Sequence, residues 1–120
     1  LERTLIDCID RPDLAGGISD LVEILERGKK RADLERVIEL LSSYSSKSLI
    51  KKVGFLLEQF DYPLTEAQTD LLLRMSSGVK TYLFSIKIPG TSKPKYSRKW
   101  RLIVNAPGFY RKQIAEEETQ

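Results

Sequence analysis

The stretch TYLFSIKI, residues 81–88, marks the point at which the spacing of apolar residues changes along this chain. From there on, large aromatic and aliphatic side chains recur at every second position: Tyr82, Phe84, Ile86 and Ile88. A period of two, built from residues that favour extended backbone, predicts a β-strand. Because the residues before it follow a helical period, this stretch predicts an α+β protein.

Residues 2–77 follow the helical pattern, with apolar side chains spaced by three and four positions. Proline and glycine residues separate the segments. Residues 65–68 match a capping box, in which the side chains of Thr65 and Gln68 each accept a hydrogen bond from the backbone N–H of the other. This pattern begins the last predicted helix. Four or five helices are expected, and the candidate segments span residues 2–10, 18–27, 32–42, 46–60 and 65–76.

A second strand is predicted where Trp100, Leu102 and Val104 alternate with other residues. Trp100 shares the apolar side of that pattern, so we expect it in the core. Residues 89–99, between the two strands, contain two prolines and several basic residues and are typical of a loop. The simplest arrangement is an antiparallel hairpin over residues ~80–105, which packs on the helices because two strands alone are marginally stable. The predicted fold is therefore α+β, with helices over residues ~2–77 and a small antiparallel sheet.

Length and composition fit one domain. The chain has 120 residues, of which 41% are hydrophobic, enough to form a core. We assign residues 1–112 to a single domain and residues 113–120 to an acidic tail that frays at its end. No apolar run approaches the ~18 residues of a membrane span, and no secretory signal pattern is present. The single cysteine, Cys8, lies on an apolar helical stripe and is expected in the core. These features favour a cytoplasmic protein with no membrane partner.

Charge is distributed unevenly along the chain. Residues 1–70 contain 10 basic and 14 acidic residues, whereas residues 71–115 contain 10 basic residues and none that is acidic. The last five residues include three Glu. A basic stretch of this length favours binding to a polyanion or to an acidic partner.

The basic residues of this stretch are candidates for contacts to nucleic-acid phosphates, because Lys and Arg neutralise phosphates and release counterions. Tyr96 and Trp100 lie among them, and exposed aromatic rings could stack on bases, although the alternation favours Trp100 in the core. The alternative is a solvated hairpin face whose lysines protect a strand edge, and Lys51 and Lys52 are likewise predicted on a solvated helix face. The candidate nucleic-acid residues are Lys80, Lys87, Lys93, Lys95, Arg98, Lys99 and Arg101.

Residues that carry chemistry are scarce. The chain has no histidine, which removes the commonest general base and metal ligand, and no glycine-rich phosphate loop is present. We therefore predict no cofactor, no metal and no enzymatic activity. Asp7, Asp10 and Asp13 leave open a carboxylate metal site of a nuclease-like enzyme. The favoured interpretation is structural, with Asp10 or Asp13 capping a helix and Arg3 paired with Asp7.

Three separated blocks resemble the AbiEi-like proteins, which are antitoxins and transcriptional regulators of type IV toxin–antitoxin systems. The first is ERTLIDCIDRPDLAGG, residues 2–17, the second SLIKKVGFLLEQF, residues 48–60, and the third YSRKWRLIVN, residues 96–105. The blocks occur in the family's order and together span most of the chain. The residues that carry the first signature are Arg3, Asp7, Asp10, Arg11, Pro12, Gly16 and Gly17.

The resemblance implies a role in abortive infection and viral defence. Family members typically carry an N-terminal winged helix-turn-helix domain that binds promoter DNA, and that domain has no counterpart here, so the chain is expected to be the C-terminal antitoxin domain. Its partners would be DNA or RNA and a nucleotidyltransferase-like toxin that it counters without a stable complex. Two other functions stay open: a protein-interaction module for an acidic partner, and the carboxylate-metal enzyme.

Overall fold

Helix α4 (Lys47–Gln59) lies at the centre of the fold, with buried side chains around most of its circumference. The computed structural model of the chain describes residues 1–44, 46–76, 78, 80–84, 94–106 and 109. The α-helices in this part are α1 (Glu2–Asp10), α2 (Ile18–Gly28), α3 (Leu34–Ser42), α4 and α5 (Glu66–Met75). A 3₁₀ turn, Pro12–Ala15, joins α1 to α2. Helix α1 contacts α2, α3 and α4, and α5 packs along α4.

Polar side chains begin three of the helices. Asp33 accepts hydrogen bonds from the backbone N–H groups of the first turn of α3, and Ser46 does the same for α4. The predicted capping box is confirmed: Thr65 Oγ1 accepts from the Gln68 N–H at 3.1 Å and Gln68 Oε1 accepts from the Thr65 N–H at 2.9 Å. These bonds satisfy donors that have no partner within the helix.

Three short strands form the sheet: β1 (Thr81–Tyr82), β2 (Lys95–Ser97) and β3 (Leu102–Val104). Their order is β1-β3-β2. Strand β2 pairs antiparallel with β3, while β1 pairs parallel with it. The side chain of Asn105 continues the β1 pairing, since its amide accepts from the Phe84 N–H at 3.0 Å and donates to the Phe84 carbonyl oxygen at 2.7 Å.

The α+β class, the helices and a small sheet are confirmed, but the all-antiparallel sheet is wrong. Residues 95–97, predicted as loop, form β2 and take the antiparallel place next to β3. The first strand therefore pairs with the other side of β3 and runs parallel to it. Alternation along a sequence shows which residues share a face but carries no information on strand direction. Most of the first predicted strand, from residue 85 onward, lies outside the described residues, as does the tail 113–120.

The core joins helices and strands into one hydrophobic cluster. Trp100 is 2% exposed, as predicted, although it lies in the turn before β3 rather than in the strand. Phe109 packs edge-on against Phe84, with ring centroids 5.1 Å apart. Its ring centroid lies 6.1 Å from that of Phe60. Cys8 is buried, as predicted, and burial raises the pKa of its thiol. Among the described helices, none has the length and apolar character needed to cross a bilayer.

Candidate nucleic-acid interface

Four of the seven predicted nucleic-acid residues lie in or beside the turn between β2 and β3: Lys80, Arg98, Lys99 and Arg101. Arg98 and Arg101 are exposed and stand at the two ends of this turn. Lys80 is exposed and directly precedes β1, and the parallel pairing of Thr81 with Leu102 places it beside Arg101. We call Lys80, Arg98 and Arg101 the basic cluster. Lys95 is exposed too, but it begins β2 at the other end of the hairpin, about 10 Å away along the strand.

Lys80 is positioned by an aromatic ring. Its Nζ lies 4.9 Å from the centroid of the Tyr96 ring, within the range of a cation–π interaction. Tyr96 is half-buried and pairs with Ile103 in the sheet. The contact therefore holds one positive charge against the surface of the sheet.

Arg101 is fixed by its backbone and by its side chain. Its φ of 52° lies in the left-handed region, which turns the chain into β3. A guanidinium nitrogen donates to the Gly78 carbonyl oxygen at 3.3 Å, and the Thr81 N–H donates to the Arg101 carbonyl oxygen at 3.2 Å. Its side chain is therefore tied to Gly78 and its backbone to Thr81, the residues on either side of Lys80 in the described chain.

Lys99 has a different environment from its basic neighbours. Its Nζ forms an ion pair of 2.5 Å with Glu58 on α4, and the two side chains are only 24% and 18% exposed. A partly buried pair of this kind is screened less than a surface pair. Lys99 therefore ties the turn to the central helix, and we leave it out of the basic cluster.

Trp100 lies against α4 beside that ion pair. Its indole Nε1 donates to the second carboxylate oxygen of Glu58 at 3.0 Å. Its ring lies directly on Gly54, where a Cβ atom would come within 2.4 Å of Cζ3 and 2.5 Å of Cη2. The sequence blocks 48–60 and 96–105 therefore meet in space, through one glycine and one glutamate of α4. We call Gly54 and Glu58 the tryptophan seat.

A groove of about 520 Å³ opens where the turn meets the end of α5. Lys51 of α4 lines it and is 3% exposed, so its predicted place on a solvated face is wrong. Burial, helped by the positive charge of Arg101, lowers the pKa of Lys51. Positive charge is concentrated in this groove, whose lining residues are Lys51, Leu73, Ser76, Gly78, Lys99, Trp100 and Arg101.

Sequence reasoning missed the roles of Lys51 and Glu58. Lys51 is buried because α4 contacts other elements on several sides, and a one-stripe helical pattern does not reveal a central helix. Two features of the sequence could have indicated the tryptophan seat. One is a glycine inside a helical pattern, which commonly marks close packing, and the other is the single carboxylate of the α4 segment. Lys87 and Lys93, also predicted to contact nucleic acid, lie outside the described residues.

The N-terminal aspartates do not share a site. Asp7 accepts a hydrogen bond from the Tyr44 hydroxyl at 3.4 Å rather than pairing with Arg3. Asp13 pairs with Arg11 at 3.2 Å, and both are exposed. Asp10 is exposed at the end of α1. In the part of the chain that the structure describes, no group of three acidic, cysteine or histidine side chains could hold a metal ion.

The remaining signature residues shape the connection between α1 and α2. Pro12 begins the 3₁₀ turn after Arg11, whose φ of −134° and ψ of 87° are not helical, and proline disfavours helical backbone in the residue before it. Gly16 and Gly17 have φ values of 98° and 119°, and a Cβ at Gly16 would lie 2.3 Å from an Asp20 carboxylate oxygen. Neither Asp10 nor Asp13 caps α2, whose N-cap is Gly17. The geometry of this block therefore accounts for its glycines without a ligand.

Comparison with protein-family models, with curated proteins and with solved structures finds no match for this chain. The resemblance to AbiEi-like proteins therefore rests on the three sequence blocks.

Proposed function

We propose that this chain is the antitoxin and regulatory domain of a type IV toxin–antitoxin regulator, and that it contacts nucleic acid through the basic cluster. The observation that carries the nucleic-acid part is the convergence of Lys80, Arg98 and Arg101 at one end of the sheet. These charges lie in a stretch of 45 residues without a carboxylate, residues 71–115. Adjacent exposed cations suit the regular spacing of phosphates along a strand.

The groove beside the cluster supports the same proposal. Lys51 and Arg101 both line it, so positive potential extends from the exposed turn into the protein. Low-dielectric walls focus such a field and attract anions. Phosphate contacts of this kind give affinity without sequence specificity. This property suits a domain that acts beside a separate promoter-binding domain.

The antitoxin part rests on the resemblance of residues 2–17, 48–60 and 96–105. It implies a nucleotidyltransferase-like toxin as the functional partner, countered without a stable complex. Co-expression of the chain with a candidate toxin of that class tests this part. Restored growth supports it, and continued growth arrest with the chain present in folded form contradicts it.

Binding is tested by anisotropy of a labelled duplex and a labelled RNA hairpin between roughly 50 and 200 mM salt. The test variant is Lys80→Glu, Arg98→Glu and Arg101→Glu combined. The control is Lys29→Glu, Lys30→Glu and Arg31→Glu combined, which makes the same charge change at exposed positions after α2.

We expect the wild-type affinity to fall steeply with salt. The test variant should bind weakly and lower the slope of log affinity against log salt by about three, one for each lost phosphate contact. The control should keep most of the slope. Equal losses in both variants would mean that net charge alone drives binding, and no binding at the lowest salt would contradict the nucleic-acid proposal.

A further inference from the structure

The two faces of the sheet differ in composition. The face toward the helices carries Leu102 and Val104, both buried. The opposite face, which we call the outer face, carries one residue from each strand. Pairing aligns them: Tyr82 of β1 lies opposite Ile103 of β3, and Ile103 lies opposite Tyr96 of β2. Two aromatic rings thus flank an aliphatic side chain across the sheet.

The outer face is accessible. Tyr82 is 56% exposed, which is high for so large an aromatic side chain, while Ile103 and Tyr96 are half-buried. Neighbouring strands are about 4.8 Å apart, so residues two strands apart are separated by about 10 Å. The tyrosines therefore offer two separate ring surfaces rather than one stacked pair.

Positive charge borders these rings. Lys80 lies 4.9 Å from the centroid of Tyr96. Arg98 is exposed and stands two residues after Tyr96, whereas Arg101 lines the groove beside α4 and α5. Rings for bases next to cations for phosphates are the combination that binds single strands. A duplex cannot stack its bases on the rings, because the bases are already stacked on one another and only their edges are accessible in the grooves.

We propose that the outer face binds single-stranded RNA, with bases stacked on Tyr82 and on Tyr96, where the base displaces Lys80 from the ring, and with the phosphates held by Lys80 and Arg98. RNA is chosen over DNA because unpaired bases are the usual target of RNA recognition. The inference rests on the proposed nucleic-acid function and specifies its ligand.

The test measures the affinities of the whole chain for a labelled RNA strand of about 15 nucleotides, within the usual site size of such surfaces. The same sequence as a DNA strand and as a DNA duplex completes the set. Variants are Tyr82→Ala, Tyr96→Ala and Tyr82→Phe, each checked for folding by circular dichroism. The matched control is Leu14→Ala, which removes a similarly exposed apolar side chain (57%) from the turn between α1 and α2.

We expect the RNA strand to bind more tightly than the duplex. Each Tyr→Ala change should weaken RNA binding by about five- to hundredfold, as stacking contributions predict. Tyr82→Phe, which keeps the ring, and Leu14→Ala should bind as the wild type does. Single-stranded DNA should bind within a few-fold of RNA, since stacking does not read the 2′-hydroxyl.

Several results would overturn the inference: a preference for the duplex, a DNA strand bound tighter than the RNA strand by more than a few-fold, or RNA binding unchanged by either alanine. In those cases salt-dependent duplex binding that is lost in the charge-reversed cluster would leave the proposed function standing. Absence of binding to all three ligands would remove both.

Discussion

Gly54 shows how one missing side chain fixes the position of another. The ring of Trp100 occupies the space where any Cβ at position 54 would lie. Trp100 is itself 2% exposed, and its indole N–H is held by Glu58 at 3.0 Å, so the ring is fixed in this position. A mid-helix glycine normally costs stability relative to alanine, and here the close contact offsets that cost.

Gly54→Ala should destabilise the chain although alanine favours helix. Forcing a Cβ into the ring costs about 1–3 kcal/mol by overpacking, against a gain of up to ~1 kcal/mol in helix propensity. We expect a net loss of about 1–2 kcal/mol in the free energy of unfolding, measured by urea denaturation. In the background of Trp100→Leu the same change should cost less, because the clash is gone. An equal cost in both backgrounds would show that the ring is not the cause.

Tyr62 makes stability depend on pH in the alkaline range. Its hydroxyl donates to the Leu25 carbonyl oxygen at 2.7 Å, and burial raises the pKa of the phenol. The folded state therefore favours the neutral form. The contribution of the Tyr62 phenol to the free energy of unfolding is fully present below the unfolded pKa of about 10. It is lost as the pH rises through the higher pKa of the folded state.

The comparison of wild type with Tyr62→Phe isolates this effect. Above pH ~10 the free energy of unfolding of the wild type should fall more steeply with pH than that of the variant, which has no phenol to ionise. Near neutral pH the variant should be less stable, by about 1 kcal/mol, because a buried carbonyl loses its donor. Parallel pH curves for the two proteins would contradict the assignment.

At the scale of elements, α4 connects the helices to the strands through the tryptophan seat. Glu58 uses both carboxylate oxygens: one pairs with Lys99 and the other accepts from the Trp100 indole. Both partners belong to the turn between β2 and β3. The turn is therefore oriented on the helix by a charged contact and a directional hydrogen bond.

Replacement of Glu58 separates these two contacts. Glu58→Gln keeps an oxygen acceptor for the indole but removes the charge, and Glu58→Ala removes both. We expect losses of about 1–2 kcal/mol for Gln and about 1 kcal/mol more for Ala, since the alanine leaves the indole N–H without its acceptor. Thermal denaturation of both variants measures this. Glu39→Gln, on the exposed face of α3 in a surface pair with Arg36, is the control and should change little. Equal losses of stability in Glu58→Gln and Glu58→Ala would mean that the indole hydrogen bond does not stabilise the fold.

The helices were predictable because their signals are local. The first was predicted at residues 2–10 and spans Glu2–Asp10, and the Thr65 capping box opens α5 where its residue pattern placed it. The strands were predicted less well. Their order depends on β2, which is three residues long and follows Pro94 in a basic stretch. Such a short segment has too few residues to establish a period.

At the scale of the whole molecule, the candidate interface was only partly predictable. The absence of carboxylates from residues 71–115 indicated the region that contains the basic cluster, because charge is a property of composition. Lys99 pairs with Glu58 and so does not belong to the basic cluster. This pairing was not predictable, because the two residues are 41 positions apart along the chain. The aromatic row on the outer face depends on the same long-range pairing, since Tyr82 and Tyr96 become neighbours of Ile103 only once the strand order is known.

The tryptophan seat also gives the chain an internal optical reporter. Trp100 is its single tryptophan, so indole emission follows only the docking of the turn on α4, whereas far-ultraviolet circular dichroism follows the helices. Emission that shifts to longer wavelength at a lower urea concentration than the helical signal would mean that the strands detach from a helical body that is still folded. Coincident transitions would mean that helices and strands unfold as one cooperative unit. One buried ring thus makes the cooperativity between the two halves of the fold directly observable.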